Sequence, residues 1–211
     1  MKLAIIDYGA GNLRSVVKAF NFIGEECVVT SDEETIRSCS GIVLPGVGAF
    51  REAINKLEAK GLCDILKKEA ENGKALFGIC LGMQMLFEKS YEFGETEGLG
   101  FIKGSVEKID TAGQNLKIPH IGWNTLELNE RSNLFNGIEN GSYVYFVHSF
   151  AAKTDSKNVS AYTDYGSKVV ASAENKNVMG TQFHPEKSGE VGLKILKNFC
   201  NTVRHDNFTC N

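Results

Sequence analysis

Two short segments carry residue types and spacings that suit acyl-transfer chemistry. Cys80 stands in Gly78-Ile79-Cys80-Leu81-Gly82, between the apolar run KALFGI and the helical pattern MQMLFE. That is the form of a nucleophile elbow with cysteine in place of serine. Flanking glycines suit a turn too sharp for side chains, and a cysteine at a helix start meets the positive end of the dipole, which favours thiolate. A thiolate nucleophile needs a base, and the base needs an orienting group. Gln182-Phe183-His184-Pro185-Glu186 offers both. His184 ends a strand, Pro185 stops the ladder, and Glu186 follows on the same side. An attacked amide also develops an oxyanion that preorganised N–H groups must hold. Leu81 N–H is one candidate, and the turn Gly46-Val47-Gly48 after the run GIVL is another, because its glycines let the backbone approach a ligand. Taken singly, each segment has a plain structural reading: a small buried thiol, a strand-end histidine, a tight turn. Their coupling in one chain favours chemistry.

The elements that must hold these segments follow from hydrophobic period. KLAII, ECVVT, GIVLP and KALFGI are β-rich runs, and Leu13, Val16, Val17, Phe20 and Ile23 recur at helical spacing between the first two. Strands apolar without alternation belong to a parallel sheet covered on both faces, so the first half predicts a doubly wound, mostly parallel α/β sheet. Ligands of such sheets collect at the carboxyl ends of the strands, where DYGAGN, PGVGAF and GICLG lie. From about residue 98 the stretches IKGSVEKID, NTLEL, SYVYFVHSF, NVSAYTDY, SKVVASAE and NVMGTQF predict an antiparallel extension of that sheet. A closing helix over 187–203 carries Leu193, Leu196, Phe199, Cys200 and Val203 on one stripe, and a polar tail follows over 204–211.

With 211 residues, 42% of them hydrophobic, the chain is expected to fold as one domain. A net charge of -3 with mixed signs provides no basic stripe for a nucleic acid. The opening MKLAIIDYGAGN is too short in apolar residues for a secretion signal, and no stretch is long enough for a membrane span, so a cytoplasmic protein is expected. Six scattered cysteines without CxxC and four scattered histidines predict free thiols and no metal site.

PGVG, GICLGMQ and HPE, in this order, resemble the class I, triad-type glutamine amidotransferases over residues 1 to about 203. The resemblance implies a flavodoxin-like sheet in a single amidotransferase domain over 1–203, no cofactor, and hydrolysis of L-glutamine to glutamate and ammonia through a cysteinyl thioester. IIDYGAGNLRSV, PHIGWN, YFVHSF and QFHPEKSG narrow the likeness to members that form a heterodimer with a (β/α)8 cyclase of histidine biosynthesis and channel ammonia into it. Carried over position by position, Cys80 is the nucleophile, His184 the general base and then acid, and Glu186 its orienting carboxylate. Leu81 N–H and a peptide of Gly46-Val47-Gly48 hold the oxyanion. Gln84, Glu92 and the backbone of Ser149 and Phe150 bind glutamine, and Asn12, Trp123, Tyr145 and Lys187 face the partner. Three alternatives stay open: a paralogue that feeds another synthetase, for example one amidating a surface sugar, a stand-alone cysteine hydrolase, and a non-catalytic binding module with a residual site, against which the intact triad weighs. The HPE spacing counts against the second.

Overall fold

A computed structural model describes residues 1–9, 11–129 and 132–209, with side chains through 204. The first half alternates as its hydrophobic pattern demands: β1 (Lys2–Ile6), α1 (Leu13–Phe22), β2 (Glu26–Thr30), α2 (Glu33–Ser38), β3 (Gly41–Gly46), α3 (Phe50–Ala59), α4 (Leu62–Glu71), β4 (Ala75–Cys80) and α5 (Leu81–Gln84). Local chemistry sets several of these ends. Asp32, for example, accepts from Thr35 N–H at 2.8 Å and caps α2. The second half is mostly β: β5 (Phe87–Ser90), β6 (Thr96–Glu97), β7 (Ile102–Lys108), β8 (His120–Thr125), β9 (Glu127–Leu128), β10 (Tyr143–His148), β11 (Phe150–Lys153), β12 (Val159–Asp164), β13 (Lys168–Asn175) and β14 (Val178–Thr181). A 3-10 turn at Pro185–Lys187 leads into α6 (Gly189–Thr209).

The main sheet has the order β2-β1-β3-β4-β14-β13-β12-β9. Its first five strands are parallel, and β13, β12 and β9 continue it antiparallel. One core packs Ile36, Phe50, Leu57, Leu62 and Leu66 from α2, α3 and α4 against one face; another packs Val16, Phe20, Leu196 and Phe199 from α1 and α6 against the other. Within β3, Ile42 and Leu44 enter the first core and Val43 the second, which explains why the strand is apolar throughout.

Three sequence expectations change. The run MQMLFE does not continue as a helix: α5 is a single turn, and from Phe87 the chain is strand β5, with Phe87 and Ser90 buried and paired to β7. IKGSVEKID and SYVYFVHSF do not extend the main sheet either. They form β7 and β11 in a four-stranded sheet β11-β7-β5-β6, and β10 in a two-stranded ribbon with β8. The ribbon buries Val144 and Phe146 in the second core, whereas Phe87, Ile102, Val106 and Ala152 of the four-stranded sheet enter the first, so each small sheet covers apolar area the helices leave open. Finally, α6 starts at Gly189 and passes Val203. Among the described residues no helix is long and apolar enough to cross a membrane.

Candidate active site

The register of the parallel strands builds the site. Gly46 pairs with Cys80 across β3 and β4, and Thr181 of β14 pairs with Ile79, so the carboxyl ends of three strands put Gly46, Cys80 and Gln182 at one level. Cys80 has φ 55° and ψ -111°, a backbone that places its side chain at the tip of the strand-to-α5 turn. The turn is sterically exacting. A Cβ on Gly82 would lie 1.8 Å from the Leu44 carbonyl oxygen, and one on Gly46 would lie 2.7 Å from Gly82 N. A Cβ on Gly78 would likewise lie 2.7 Å from main-chain atoms of Gly82 and Met83. Gly46 therefore lets β3 approach the elbow. Val47 and Gly48, the latter at φ 99°, are the turn residues that reach the cavity. Because α5 has only four residues, it supplies little of the dipole expected of a full helix.

His184 and Glu186 follow Thr181 at the end of β14. Glu186 Oε1 lies 2.8 Å from His184 Nδ1, with both side chains almost fully buried. A carboxylate accepts, so Nδ1 holds a proton and Nε2 is left to face Cys80; it makes no formed hydrogen bond elsewhere. Burial lowers the imidazole's proton affinity, but its contacts with Cys80 and then with Glu186 outweigh this and bring the pKa up to about 9. The backbone of this turn is tied to the ribbon. His184 N–H donates to the Tyr145 carbonyl at 3.0 Å, Tyr145 N–H donates to Ser188 Oγ at 3.0 Å, and that hydroxyl donates to the His184 carbonyl at 2.7 Å.

Cys80 and His184 open into a cavity of about 370 Å³. Leu81, Gln84, Glu92, Ser149, Phe150 and Lys187 line it too, so all four residues expected to bind glutamine are in one place. Glu92 is half-buried, and its Oε2 accepts from Phe50 N–H, at the start of α3, at 2.7 Å. Gln84 Nε2 donates to the Phe150 carbonyl and to Gln182 Oε1, both at 2.9 Å, which leaves its own Oε1 for a ligand. Of the residues expected to face a partner, Trp123 and Tyr145 are cross-strand neighbours on β8 and β10, with rings 6.1 Å apart edge to face. Lys187 Nζ lies 5.9 Å from the Tyr145 ring. Asn12 is apart from these three, at the start of α1, which packs on the Pro185–Lys187 turn.

Sequence reasoning passed over several residues. Gln182 Nε2 lies 3.8 Å from Cys80 Sγ, and Tyr8 donates to the Pro45 carbonyl at 3.0 Å behind the elbow. Burial, and next the nearby Cys80, raise the Tyr8 pKa. Pro119, Val147 and His148 also line the cavity. Gln182 was open to detection, because it is two residues before His184 and so on the same side of an extended chain. Nothing local marks Tyr8.

The glutamine amidotransferase class-I family model matches residues 4–203. A subunit of imidazole glycerol phosphate synthase, HisH, from Bacillus cereus is 48% identical over 201 residues, 95% of each chain. Its counterpart from Caldanaerobacter subterraneus is 48% identical over 203 residues, 96% of this chain and 98% of the other. Among solved structures, a glutamine amidotransferase superimposes with a TM-score of 0.74 at 20% identity, covering 95% of this chain and 98% of that one. The structure of PurLQS from Thermotoga maritima matches with a TM-score of 0.73 at 24% identity, covering 96% and 98%. At such identities the structural likeness concerns the fold.

Proposed function

This chain belongs to the class I glutamine amidotransferases, and from that premise we propose that it is the glutaminase subunit of an imidazole glycerol phosphate synthase, in which Cys80, His184 and Glu186 act on L-glutamine. The observation that carries the reading is the meeting of Cys80, His184, Gln84 and Glu92 in one cavity. A substrate zwitterion needs both a carboxylate and N–H donors when it leaves water. Glu92 and Gln84 Oε1 face its ammonium, and the backbone at Ser149 and Phe150 faces its carboxylate.

The geometry supports the following chemistry. Sγ of Cys80 attacks the carboxamide carbon with its proton held by His184 Nε2, and Glu186 stabilises the imidazolium through Nδ1–H. The oxyanion accepts from Leu81 N–H and from a peptide of the Gly46-Val47-Gly48 turn. As the C–N bond breaks, His184 returns its proton to the leaving nitrogen, giving ammonia and a γ-glutamyl thioester. Water then gives a proton to His184 and attacks the thioester; the C–S bond breaks, glutamate leaves, and Cys80 stands again beside a His184 that holds the proton.

Ammonia passes to a (β/α)8 cyclase, which joins it to a phosphoribulosyl aminoimidazole carboxamide nucleotide and yields imidazole glycerol phosphate and aminoimidazole carboxamide ribotide. The names of relatives about half identical over nearly the whole chain support that partner. Trp123, Tyr145 and Lys187 form its docking face beside the cavity, and Asn12 extends that face onto α1. Free thiols at Cys27, Cys39, Cys63, Cys80 and Cys200 suit the reducing cytoplasm. The test is co-purification with glutaminase assay. A barrel cyclase should be recovered, and glutamate release should rise when the cyclase and its nucleotide are added. Recovery of a different synthetase, or full activity of the free chain, would overturn the assignment.

A further inference from the structure

His148 and His120 take no part in the mechanism above, yet they are buried and joined to the cavity wall. The Phe150 carbonyl receives two hydrogen bonds, from Gln84 Nε2 and from His148 Nδ1, each at 2.9 Å. A carbonyl only accepts, so His148 carries its proton on Nδ1 and offers a lone pair at Nε2. His120 Nδ1 lies 3.1 Å from that Nε2 and must be the donor. His120 Nε2 is then bare and accepts from Asn124 Nδ2 at 3.3 Å, and the same amide nitrogen donates to the Asp164 carbonyl at 2.8 Å. Asn124 cannot flip, because its Oδ1 accepts from Thr125 N–H at 2.8 Å. The order of donors is thus fixed in one direction, from the edge of β8 to the cavity wall, and it requires both imidazoles to be neutral.

Packing holds the pair in that order. His120 is stacked between Tyr165, ring centroids 3.9 Å apart, and Phe146, 4.8 Å apart. Burial pushes the pKa of each histidine down to about 4, so the chain of donors stays intact at neutral pH.

We propose that His148, backed by His120, is a positioning residue for the amino-acid end of glutamine: it fixes the Phe150 carbonyl, and with it Gln84 and the Ser149–Phe150 backbone that face the substrate. Two donors on one carbonyl leave that peptide a single orientation, and the groups it presents to the cavity are set by it. The inference rests on the glutaminase reading.

Steady-state glutamine hydrolysis by the chain reconstituted with its cyclase tests it. His148→Leu should raise KM for glutamine about fivefold to tenfold, the scale of one lost neutral hydrogen bond, with kcat within about twofold. His148→Asn, whose amide nitrogen replaces Nδ1, should bring KM back to within about twofold of the parent. An unchanged KM in His148→Leu, or an equal fall of kcat in both variants at unchanged KM, would overturn the proposal while leaving the glutaminase reading intact. An inactive parent would bring down both. If His148→Leu does not fold, His120→Phe, which keeps the stack and removes the donor behind His148, should raise KM at least twofold; an unchanged KM there overturns the proposal equally.

Discussion

Cys80 pays in backbone strain for the placement of its sulfur at the cavity. A φ of 55° with ψ of -111° is a conformation L-residues seldom hold, and such strain is of order 1–3 kcal/mol. Glycine holds it freely. Cys80→Gly should therefore unfold at higher urea than Cys80→Ala, by about 1 kcal/mol, while both lose at least about 10³-fold in glutamate release. Equal midpoints would deny the strain, and residual full activity would deny the nucleophile. The charge state of His184 depends on the same sulfur. Burial lowers its pKa while Cys80 and then Glu186 raise it. In Cys80→Ala one of the two raising influences is gone, so the imidazole should titrate below about 9, as its ring carbon shifts in NMR would record.

Among elements, the close approach of α5 to β3 is the least tolerant. Gly82→Ala places a methyl group 1.8 Å from the Leu44 carbonyl and should destabilise the fold by about 3 kcal/mol or more in chemical denaturation, since main chain cannot yield as a side chain can. The β8–β10 ribbon has the opposite character. Ile121, Trp123 and Tyr143 are more than half exposed on its outer face, while Val144 and Phe146 are buried beneath. Trp123→Ala should leave the free chain's stability within about 0.5 kcal/mol, as for other exposed substitutions, yet weaken cyclase binding by about 2 kcal/mol, roughly 30-fold in Kd by calorimetry. Because both main-chain groups of Tyr145 are bonded to the 184–188 turn, the ribbon proposed to dock the cyclase also holds His184, the proposed base.

For the whole molecule, three histidines set opposite limits on stability against pH. His184, raised to about 9 from 6.5, binds its proton more tightly when folded; its contribution is complete below about pH 6.5 and is lost as pH rises through about 9. His120 and His148, lowered to about 4, contribute fully above about pH 6.5 and lose that contribution as pH falls through about 4. Denaturation midpoints should fall on both sides of neutrality, and His184→Gln should flatten the alkaline limb alone. A parent midpoint still rising between about pH 7 and 9 would contradict the raised pKa. The sequence by itself determined the parallel half of the sheet and the residues of the elbow and the His-Pro-Glu turn. Those depend on short-range signals: apolar period, glycines confined by a sharp turn, and a proline that ends a ladder. Only the tertiary structure decided that α5 is one turn, that the later strands divide among three sheets, that Glu92 bonds to Phe50, 42 positions away, and that His120 meets His148, 28 positions away. These depend on which surfaces remain to be covered once the main sheet has formed, and on contacts between distant segments, neither of which is written in the spacing of any one segment.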